Sequence, residues 1–474
     1  MNRMNPKLSG LLILFLLISL FVQAEIKLPS IFGDHMVLQQ LTDAAIWGKA
    51  TAGKTVRVNT SWNKESYLVQ SDKQGNWKVK VKTPQAGGPY EITISDGSTL
   101  KLKDVLIGEV WICSGQSNMA MPMKGYRNQP IIGSNEAIAT SANPTIRLIT
   151  VERDKSPEPK DDFTGEWKEC LPENVANFSA TAYFFGKMIQ QVLGVPVGLI
   201  HSSWGGTNIE PWISEEGIKK YDWVPVPDKK KEGEYYYKNP SALFNAMINP
   251  VVGYGLRGAI WYQGEANCYE PEHYQKLMPG LAEDWRAKWG IGDFPFYYVQ
   301  IAPFDYSTIG SHVNSAYLRD AQRKAVDATV NFGMACILDV GEKTGIHPAN
   351  KKVAGDRLSY LALAKTYGKS GFAWSGPILK EMIVEGGLVK LTFDHANNGL
   401  TSFGKELENF EVAGENKQFV PAKASINGNG ITLFSPEVEN PVAVRYAFKD
   451  FVVGDLFNTE GLPASSFRTD DWKK

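Results

Sequence analysis

The chain has 474 residues, of which 43% are hydrophobic and 21% charged, and its formal net charge at pH 7 is −1. This length predicts two or three domains. The nearly balanced charge excludes a basic surface of the kind that binds nucleic acid. Its four cysteines show no CxxC spacing and are too few for a disulfide framework, so we expect mostly buried free thiols with room for one disulfide: Cys113, Cys170, Cys268 and Cys336.

Residues 1–24 have the pattern of a cleaved secretory signal. Arg3 and Lys7 precede an apolar run from Leu11 to Val22, and Val22-Gln-Ala24 is a sequence that signal peptidases accept. The run is short for a bilayer span, and no cysteine follows that could carry a lipid. We therefore expect an exported protein, periplasmic or extracellular, without a stable membrane anchor. Removing two positive charges and no acid changes the net charge from −1 to −3.

Two changes of periodicity divide the rest of the chain. Residues 25–104 contain short alternating runs separated by turn residues, such as Thr55–Thr60 and Trp77–Lys82, which predict a β-sandwich-like domain. Residues 371–474 return to strand-like runs and predict a second β-rich region, sandwich-like or jelly-roll-like. Between them, residues 105–370 alternate apolar strands with amphipathic helices.

That alternation is typical of an α/β fold with three layers, in which helices cover both faces of a mostly parallel sheet. We predict five strands, at Val105–Cys113, Val197–Ile200, Gly258–Tyr262, Phe296–Ile301 and Met334–Val340. Two helices are predicted from apolar stripes, the first at Phe185, Met188, Ile189 and Val192 and the second at Ala354, Leu358, Leu361 and Ala362.

Polar clusters follow four of these strands. Ligands of open α/β sheets bind outside the carboxyl ends of the strands. The clusters there are Gly115 to Asn118, Ser202 to Thr207, Gln263 to Asn267, and Gly341 to His347. Four strand ends are therefore expected to direct polar groups into one crevice.

Ser117 and His347 are the candidate nucleophile and base. Ser117 lies between Gly115 and Asn118, which favour a tight strand-to-helix turn, and a serine hydroxyl needs a neighbouring base to become nucleophilic. Pro348 suits the first turn of a helix and would hold His347 at a strand-to-helix junction. His201, which also lies at a strand end, is the alternative base.

Backbone N–H groups of Gly205 and Gly206 can stabilise an oxyanion, because glycine tolerates unusual dihedrals. A side-chain amide from Gln263 or Asn267 could add a third donor.

Four motifs, taken in order, resemble those of the sialate O-acetylesterases. They are Gly115-Gln-Ser-Asn-Met119, Ser203-Trp-Gly-Gly-Thr207, Trp261-Tyr-Gln-Gly-Glu265 and Ile346-His-Pro-Ala-Asn-Lys351. That family is a branch of the Ser-Gly-Asn-His hydrolases. The resemblance extends to the opening Leu28 to Leu38, to Gly87-Gly-Pro-Tyr90 and to the closing Gly461 to Arg468.

The resemblance implies a secreted serine esterase that removes acetyl groups from sialic acid through an acetyl-enzyme. Ser117 would attack and His347 would act as base and then as acid. The oxyanion would be held by the N–H groups of Ser117 and Gly206 and by the amide of Gln263. Residues expected to contact the substrate are Gln116, Gly205, Glu265 and Asn267. No metal and no cofactor is expected.

One departure from the family pattern concerns the acid that orients the histidine. Many relatives have an aspartate two or three residues before it, where this chain has Gly345 and Thr344. Either another carboxylate takes that role, with Asp339 and Glu342 nearest in sequence and Glu265 at the same edge, or a Ser-His dyad works with a backbone carbonyl.

Three other functions are weighed against this one. An esterase of acetylated xylan or another carbohydrate would have the same reacting group. A non-catalytic glycan-binding protein could lose its nucleophile and base freely, so the joint presence of Ser117, Gly206, Gln263 and His347 counts against it. A metal-dependent deacetylase would need a cluster of histidine and aspartate that these motifs do not supply. The carboxylate of sialic acid calls for an arginine, but Arg286 and Arg319 fall in predicted helices and are not assigned to it.

Overall fold

The computed structural model describes residues 25–225 and 233–472, so the predicted signal peptide lies outside the described residues. In chain order the strands are β1 (Val37–Gln39), β2 (Asp43–Lys49), β3 (Thr55–Thr60), β4 (Ser66–Gln70), β5 (Asn76–Lys82), β6 (Gly87–Ser95), β7 (Thr99–Gly115), β8 (Asn143–Thr150), β9 (Trp167–Cys170), β10 (Val197–Ser203), β11 (Gly258–Tyr262), β12 (Phe296–Val299), β13 (Phe332–Ala335), β14 (Ile378–Glu385), β15 (Leu388–Asp394), β16 (Leu400–Thr401), β17 (Phe410–Ala413), β18 (Phe419–Pro421), β19 (Lys423–Asn427), β20 (Gly430–Phe434), β21 (Ala443–Tyr446), β22 (Phe457–Asn458) and β23 (Phe467–Arg468).

The α-helices are α1 (Ser117–Ala120), α2 (Ser134–Ala139), α3 (Pro172–Val175), α4 (Ala180–Leu193), α5 (Glu215–Ile218), α6 (Pro271–Trp289), α7 (Ala316–Lys324) and α8 (Lys351–Leu361). Short 3₁₀ turns lie at Glu210–Trp212, Glu234–Lys238, Asn249–Val251, Glu265–Asn267, Tyr306–Ile309 and Ala325–Asp327, and π-helical turns at Phe244–Ile248 and Ala362–Thr366. No described helix combines the length and the apolar character needed to cross a membrane.

Strand β7 belongs to two layers of the molecule. Up to Asp104 exposed residues alternate with less exposed ones, and from Val105 onward burial is continuous, which is typical of a parallel strand covered on both faces. The strand pairs antiparallel with β6 as far as Ile107, and from Glu109 it pairs parallel with β10 and then β11. The predicted domain boundary after residue 104 thus lies within one strand.

The central sheet has the order β13-β12-β11-β7-β10-β8-β9, and only β9 runs antiparallel to its neighbour. It contains all five predicted strands. The last one was placed too late: it spans Phe332–Ala335, because the following apolar residues Ile337 and Leu338 are buried in a loop that packs into two different cores. Strands β8 and β9 were not predicted.

Successive residues of β7 enter opposite cores. Val110 and Ile112 belong to one buried cluster, together with the inner side chains of α6 and α7. Trp111 and Cys113 belong to the other cluster, with α4 and α8. The sheet is therefore covered by helices on both faces, as the three-layer prediction requires.

The C-terminal region is rich in β-structure, as predicted, with four-stranded sheets β14-β15-β20-β19 and β18-β17-β21-β23 around a core of its own. It docks on α7 through Arg319, which is fully buried and donates to the Ser466 hydroxyl and to the carbonyls of Lys449 and Asp450. All four cysteines are free thiols, as expected, and Cys336 alone is partly exposed.

Candidate active site

Ser117 stands at the carboxyl end of β7, where the chain turns sharply into α1. Gly115 makes this turn possible: its φ is +137°, and a Cβ there would lie 2.2 Å from the Tyr262 carbonyl oxygen. The Gln116 N–H donates to that carbonyl at 2.9 Å, and the Trp204 N–H donates to the Gly115 carbonyl at 3.1 Å. The ends of β10 and β11 thus hold the serine turn on both sides.

The structure brings His347 to Ser117. Its Nε2 lies 2.8 Å from the Ser117 Oγ, and the edge of the Tyr126 ring packs against the imidazole with 5.5 Å between ring centroids. Burial, together with the nearby Lys351 cation, lowers the pKa of His347 to about 4. The imidazole is therefore neutral at pH 7 and able to accept a proton from the serine.

The group that orients His347 is an amide, which the sequence analysis did not anticipate. Gln129 Oε1 lies 2.6 Å from His347 Nδ1. An amide oxygen only accepts hydrogen bonds, so the proton of the neutral imidazole resides on Nδ1 and the Nε2 lone pair faces Ser117. Gln129 closes a tight turn with Tyr126 through two reciprocal backbone hydrogen bonds of 3.0 Å, with Asn128 at φ +61°.

Asp339 and Glu342, proposed as orienting acids, have other partners. Asp339 accepts two hydrogen bonds from the Arg357 guanidinium, at 2.6 and 2.8 Å, and Glu342 accepts from the Ala349 N–H at 2.7 Å. The backbone-carbonyl alternative is also incorrect, because a side-chain amide occupies the Nδ1 position.

The glycines of the predicted oxyanion hole lie beside the nucleophile. A Cβ on Gly205 would lie 3.1 Å from the Cβ of Ser117, and Gly206 has a φ of +71°. Among the described residues, no acceptor takes the N–H of Ser117 or of Gly206.

The amide of Gln263 does not face the nucleophile as predicted. Gln263 is 0% exposed, and its Nε2 donates to the Thr207 carbonyl at 3.0 Å and to Asn267 Oδ1 at 2.8 Å. Both amide hydrogens are therefore used inside the protein. Asn267 in turn donates to Glu210 and accepts from the Ile209 N–H. It therefore supports the segment that follows Gly205 and Gly206.

Gln116 differs from Gln263 in how its amide is hydrogen-bonded. Its Oε1 accepts from the N–H groups of Gly264 and Ala266 at 3.3 and 3.4 Å, which fixes the amide so that Nε2 points elsewhere. Within residues 25–225 and 233–472, no group accepts from that Nε2. A side-chain amide with two available hydrogens therefore lies next to Ser117.

Known carbohydrate esterases are similar to this chain. A carbohydrate esterase family model described as a sialic acid-specific acetylesterase matches residues 107–342. The human sialate O-acetylesterase is 31% identical over 420 residues, which cover 77% of this chain and 76% of that protein. The sialate O-acetylesterase of Pongo abelii is 30% identical and covers 89% of this chain and 87% of its own length.

The chain belongs to the sialate O-acetylesterase family. It is accordingly a carboxylic ester hydrolase. A crystal structure of a carbohydrate acetylesterase from Xanthomonas citri is similar to this member of the family along its whole length, with 33% identity, a TM-score of 0.86, and coverage of 94% of this chain and 100% of that one. Carbohydrate acetyl esters are therefore the class of substrate on which the family acts.

The alternative base, His201, has a different partner in this acetylesterase. Its Nε2 bonds to the Ser203 hydroxyl at 2.5 Å, and burial followed by the Arg153 charge lowers its pKa to about 3. Arg286 and Arg319, which were not assigned to the sugar carboxylate, are buried and donate to backbone carbonyls.

Arg153 is an arginine near the site, and the sequence analysis missed it. Its side chain is exposed. Burial raises the pKa of the Tyr126 hydroxyl, and the Arg153 guanidinium is close enough to oppose that rise by its charge and a hydrogen bond. The same cation adds to the burial that lowers the pKa of His201. The neighbouring Asp154 pairs with Lys160 instead. Tyr126 also donates to the Ser117 carbonyl at 3.3 Å, so it links this cation to the nucleophile.

Proposed function

We propose that this enzyme hydrolyses O-acetyl esters of sialic acid through an acetyl-enzyme intermediate. The observation that carries the proposal is the 2.8 Å contact between Ser117 Oγ and the unprotonated Nε2 of His347. Ser117 Oγ attacks the acetyl carbonyl carbon while Nε2 takes the hydroxyl proton, and the carbonyl π electrons move to the oxygen. Collapse of the tetrahedral intermediate expels the sugar oxygen, which takes the proton from His347.

The second half of the reaction reverses these roles. A water molecule gives a proton to His347 Nε2 and attacks the acetyl-enzyme. Collapse of the second tetrahedral intermediate releases acetic acid, which ionises to acetate in water, and Ser117 recovers the proton from His347. Gln129 keeps the Nδ1–H tautomer through both halves and accepts a stronger hydrogen bond when the imidazole is positively charged. The imidazole thus returns to its starting state after each turnover.

Three donors are proposed for the oxyanion. The N–H groups of Ser117 and Gly206 are the first two, and the Gln116 amide replaces Gln263 as the third. A preorganised donor of this kind is worth about 3 to 4 kcal/mol of barrier. Asn267 and Glu265 support these groups from inside the protein and are not assigned a contact with the substrate.

Arg153 supports sialic acid as the sugar, because sialic acid carries a carboxylate and acetylated xylan does not. A guanidinium binds a carboxylate with two parallel hydrogen bonds. Hydrogen bonds to charged groups contribute about 1.5 to 3 kcal/mol. We expect Arg153→Gln to lower kcat/KM for acetylated sialic acid about 10- to 100-fold and to leave a neutral acetyl ester unchanged.

Arg57→Gln serves as the matched control for Arg153. It removes the same charge from an exposed residue of β3, which is not one of the seven strands in the order given for the central sheet. Equal losses for charged and neutral substrates in Arg153→Gln would refute the carboxylate contact. Faster release of acetate from acetylated xylan than from acetylated sialic acid would show that the protein is an esterase but that sialic acid is not its preferred substrate.

The nucleophile is tested with Ser117→Ala on 4-nitrophenyl acetate. We expect loss of turnover, together with loss of covalent labelling by a serine-directed organophosphate measured as intact mass. Full activity in this variant would disprove the mechanism. An unlabelled and inactive wild-type protein would favour a glycan-binding protein without catalysis. Export by way of residues 1–24 is part of the proposal and is tested by the N-terminal sequence of the mature protein.

A further inference from the structure

Lys351 is a buried lysine that bonds to the residues next to Ser117 and His347 in the chain. It is 1% exposed and is the first residue of α8, four residues after His347. Its Nζ donates to Asn118 Oδ1 at 2.5 Å and to the Pro348 carbonyl at 2.8 Å. The ammonium group also lies 5.8 Å from the centroid of the Tyr262 ring. The ammonium group thus has two hydrogen-bond acceptors and one aromatic ring around it, all from the protein.

Asn118 completes the arrangement on the other side of the histidine. It is 0% exposed, and its Nδ2 donates to the Ile346 carbonyl at 3.1 Å and to Glu265 Oε1 at 2.5 Å. The carbonyls immediately before and after His347 are therefore held by Asn118 and by Lys351. These two side chains are bonded to each other.

We infer that Lys351 and Asn118 form a clamp that positions His347 against Ser117. Asn118 follows the nucleophile directly in sequence, so the clamp fixes the backbone of both halves of the catalytic pair in one rigid unit. The inference rests on the proposed role of His347 as the base. Lys351 and Asn118 do not touch the reacting atoms and act through the histidine, so they are positioning residues.

The cost of burying this lysine argues against a role in packing alone. Buried ion pairs can often be replaced by apolar side chains without loss of stability, so a purely structural site has no need for a cation. Balancing the charge of Glu265 does not explain the buried cation. Glu265 is 5% exposed, its Oε1 bonds to Asn118, and no described group bonds to its Oε2. Burial raises the pKa of Glu265, which favours its neutral form.

The charge of Lys351 also acts on the histidine. The charged groups that act on Lys351 are Glu265 and Glu342, and burial lowers the pKa of Lys351 to about 7. Lys351 is therefore protonated at the lower pH at which His347 titrates, and its charge lowers the pKa of His347. Removing Lys351 raises the pKa of His347, which a change in packing alone would not do.

The experiment compares Lys351→Met with Lys352→Met in the full mature chain. Lys352 is the next residue, is exposed, and pairs with Asp356 on the surface. We expect Lys351→Met to lower kcat for 4-nitrophenyl acetate on the order of 10²-fold, the cost of misplacing a catalytic group by about 1 Å, with KM little changed. The acid limb of the pH profile, which is the loss of kcat/KM as His347 becomes protonated, should move to higher pH. Lys352→Met should change neither.

The double variant Lys351→Met/Glu265→Gln separates positioning from charge balance. It removes both buried ionisable groups, so we expect its melting temperature to approach that of the wild type while its kcat stays low. Recovery of wild-type kcat in the double variant would overturn the inference, because Lys351 would then only neutralise Glu265. A wild-type kcat and acid limb in Lys351→Met would also overturn it.

Failure of this inference is distinguishable from failure of the proposed function. If Ser117→Ala abolishes turnover and Lys351→Met does not lower it, the clamp is wrong and the catalytic pair stands. If Ser117→Ala retains turnover, the catalytic pair is wrong, and the clamp is overturned with it.

Discussion

Replacing Gln129 by glutamate gives the most direct test of how His347 is oriented. The substitution keeps the side-chain length and puts a carboxylate where the amide oxygen now lies 2.6 Å from Nδ1. A negative charge stabilises the protonated imidazole, so the pKa of His347 must rise from its value of about 4. The base works only when it is unprotonated. As the pH is lowered, the loss of kcat/KM should therefore begin at a higher pH in the variant than in the wild type.

The size of the shift follows from the distance. At 2.6 Å the attraction is about 1.6 kcal/mol even in a dielectric of bulk water, which corresponds to about 1.2 pH units. Partial burial of the imidazole increases it, and an opposite charge at close range typically shifts a pKa by about 1 to 3 units. We therefore expect the acid limb to move from near pH 4 to about pH 5 to 7.

The assay is acetate release measured from pH 3.5 to 8 at low and high salt. Because Gln129 is exposed, added salt should reduce the shift. Asn128→Asp is the matched control: it puts the same charge in the same turn, at a position whose φ of +61° suits aspartate, without the contact to Nδ1. An unmoved acid limb in Gln129→Glu, or an equal shift in both variants, would refute the orientation by Gln129.

Three further substitutions test the geometry. His201→Asn should lower the free energy of unfolding by about 1 to 3 kcal/mol, because it disrupts the bond to the buried Ser203, while organophosphate labelling of Ser117 persists; loss of labelling in a folded variant would restore His201 as a base. Asp339→Asn should cost about 1.5 to 3 kcal/mol in thermal unfolding by weakening the pair with Arg357, with no change in the acid limb of the pH profile; a shifted limb would mean that Asp339 acts on His347. Gly115→Ala should destabilise the protein by at least about 1 to 3 kcal/mol from its dihedral alone, since its Cβ would also meet the Tyr262 carbonyl at 2.2 Å; a wild-type melting temperature would disprove the strained turn.

Local sequence patterns determined the elements that carry the site. The continuous burial of β7 from Val105 follows from a run of apolar residues, and a parallel strand of this kind needs cover on both faces. Polar residues after such strands must lie at the carboxyl edge of the sheet. Ser117 and the Gly205–Gly206 pair could be found on this ground, whereas the strand before His347 ends earlier than predicted, at Ala335.

The side-chain partners at that edge depended on the tertiary structure. Gln129 lies in an exposed turn 218 residues from His347, and no periodicity relates two positions so far apart. The same holds for Arg153, which is marked in sequence only as a charged loop residue. Gln263 has the residue type of an oxyanion donor, but the Thr207 carbonyl and Asn267 take both of its amide hydrogens.

The sequence by itself therefore determined which backbone segments meet at the site, because hydrophobic burial and strand direction are local properties of the chain. Which amide faces the nucleophile, and which side chain holds the Nδ1 proton of His347, were decided by the tertiary structure. A hydrogen bond depends on orientation and on competition among neighbouring acceptors, and these exist only once the chain has folded.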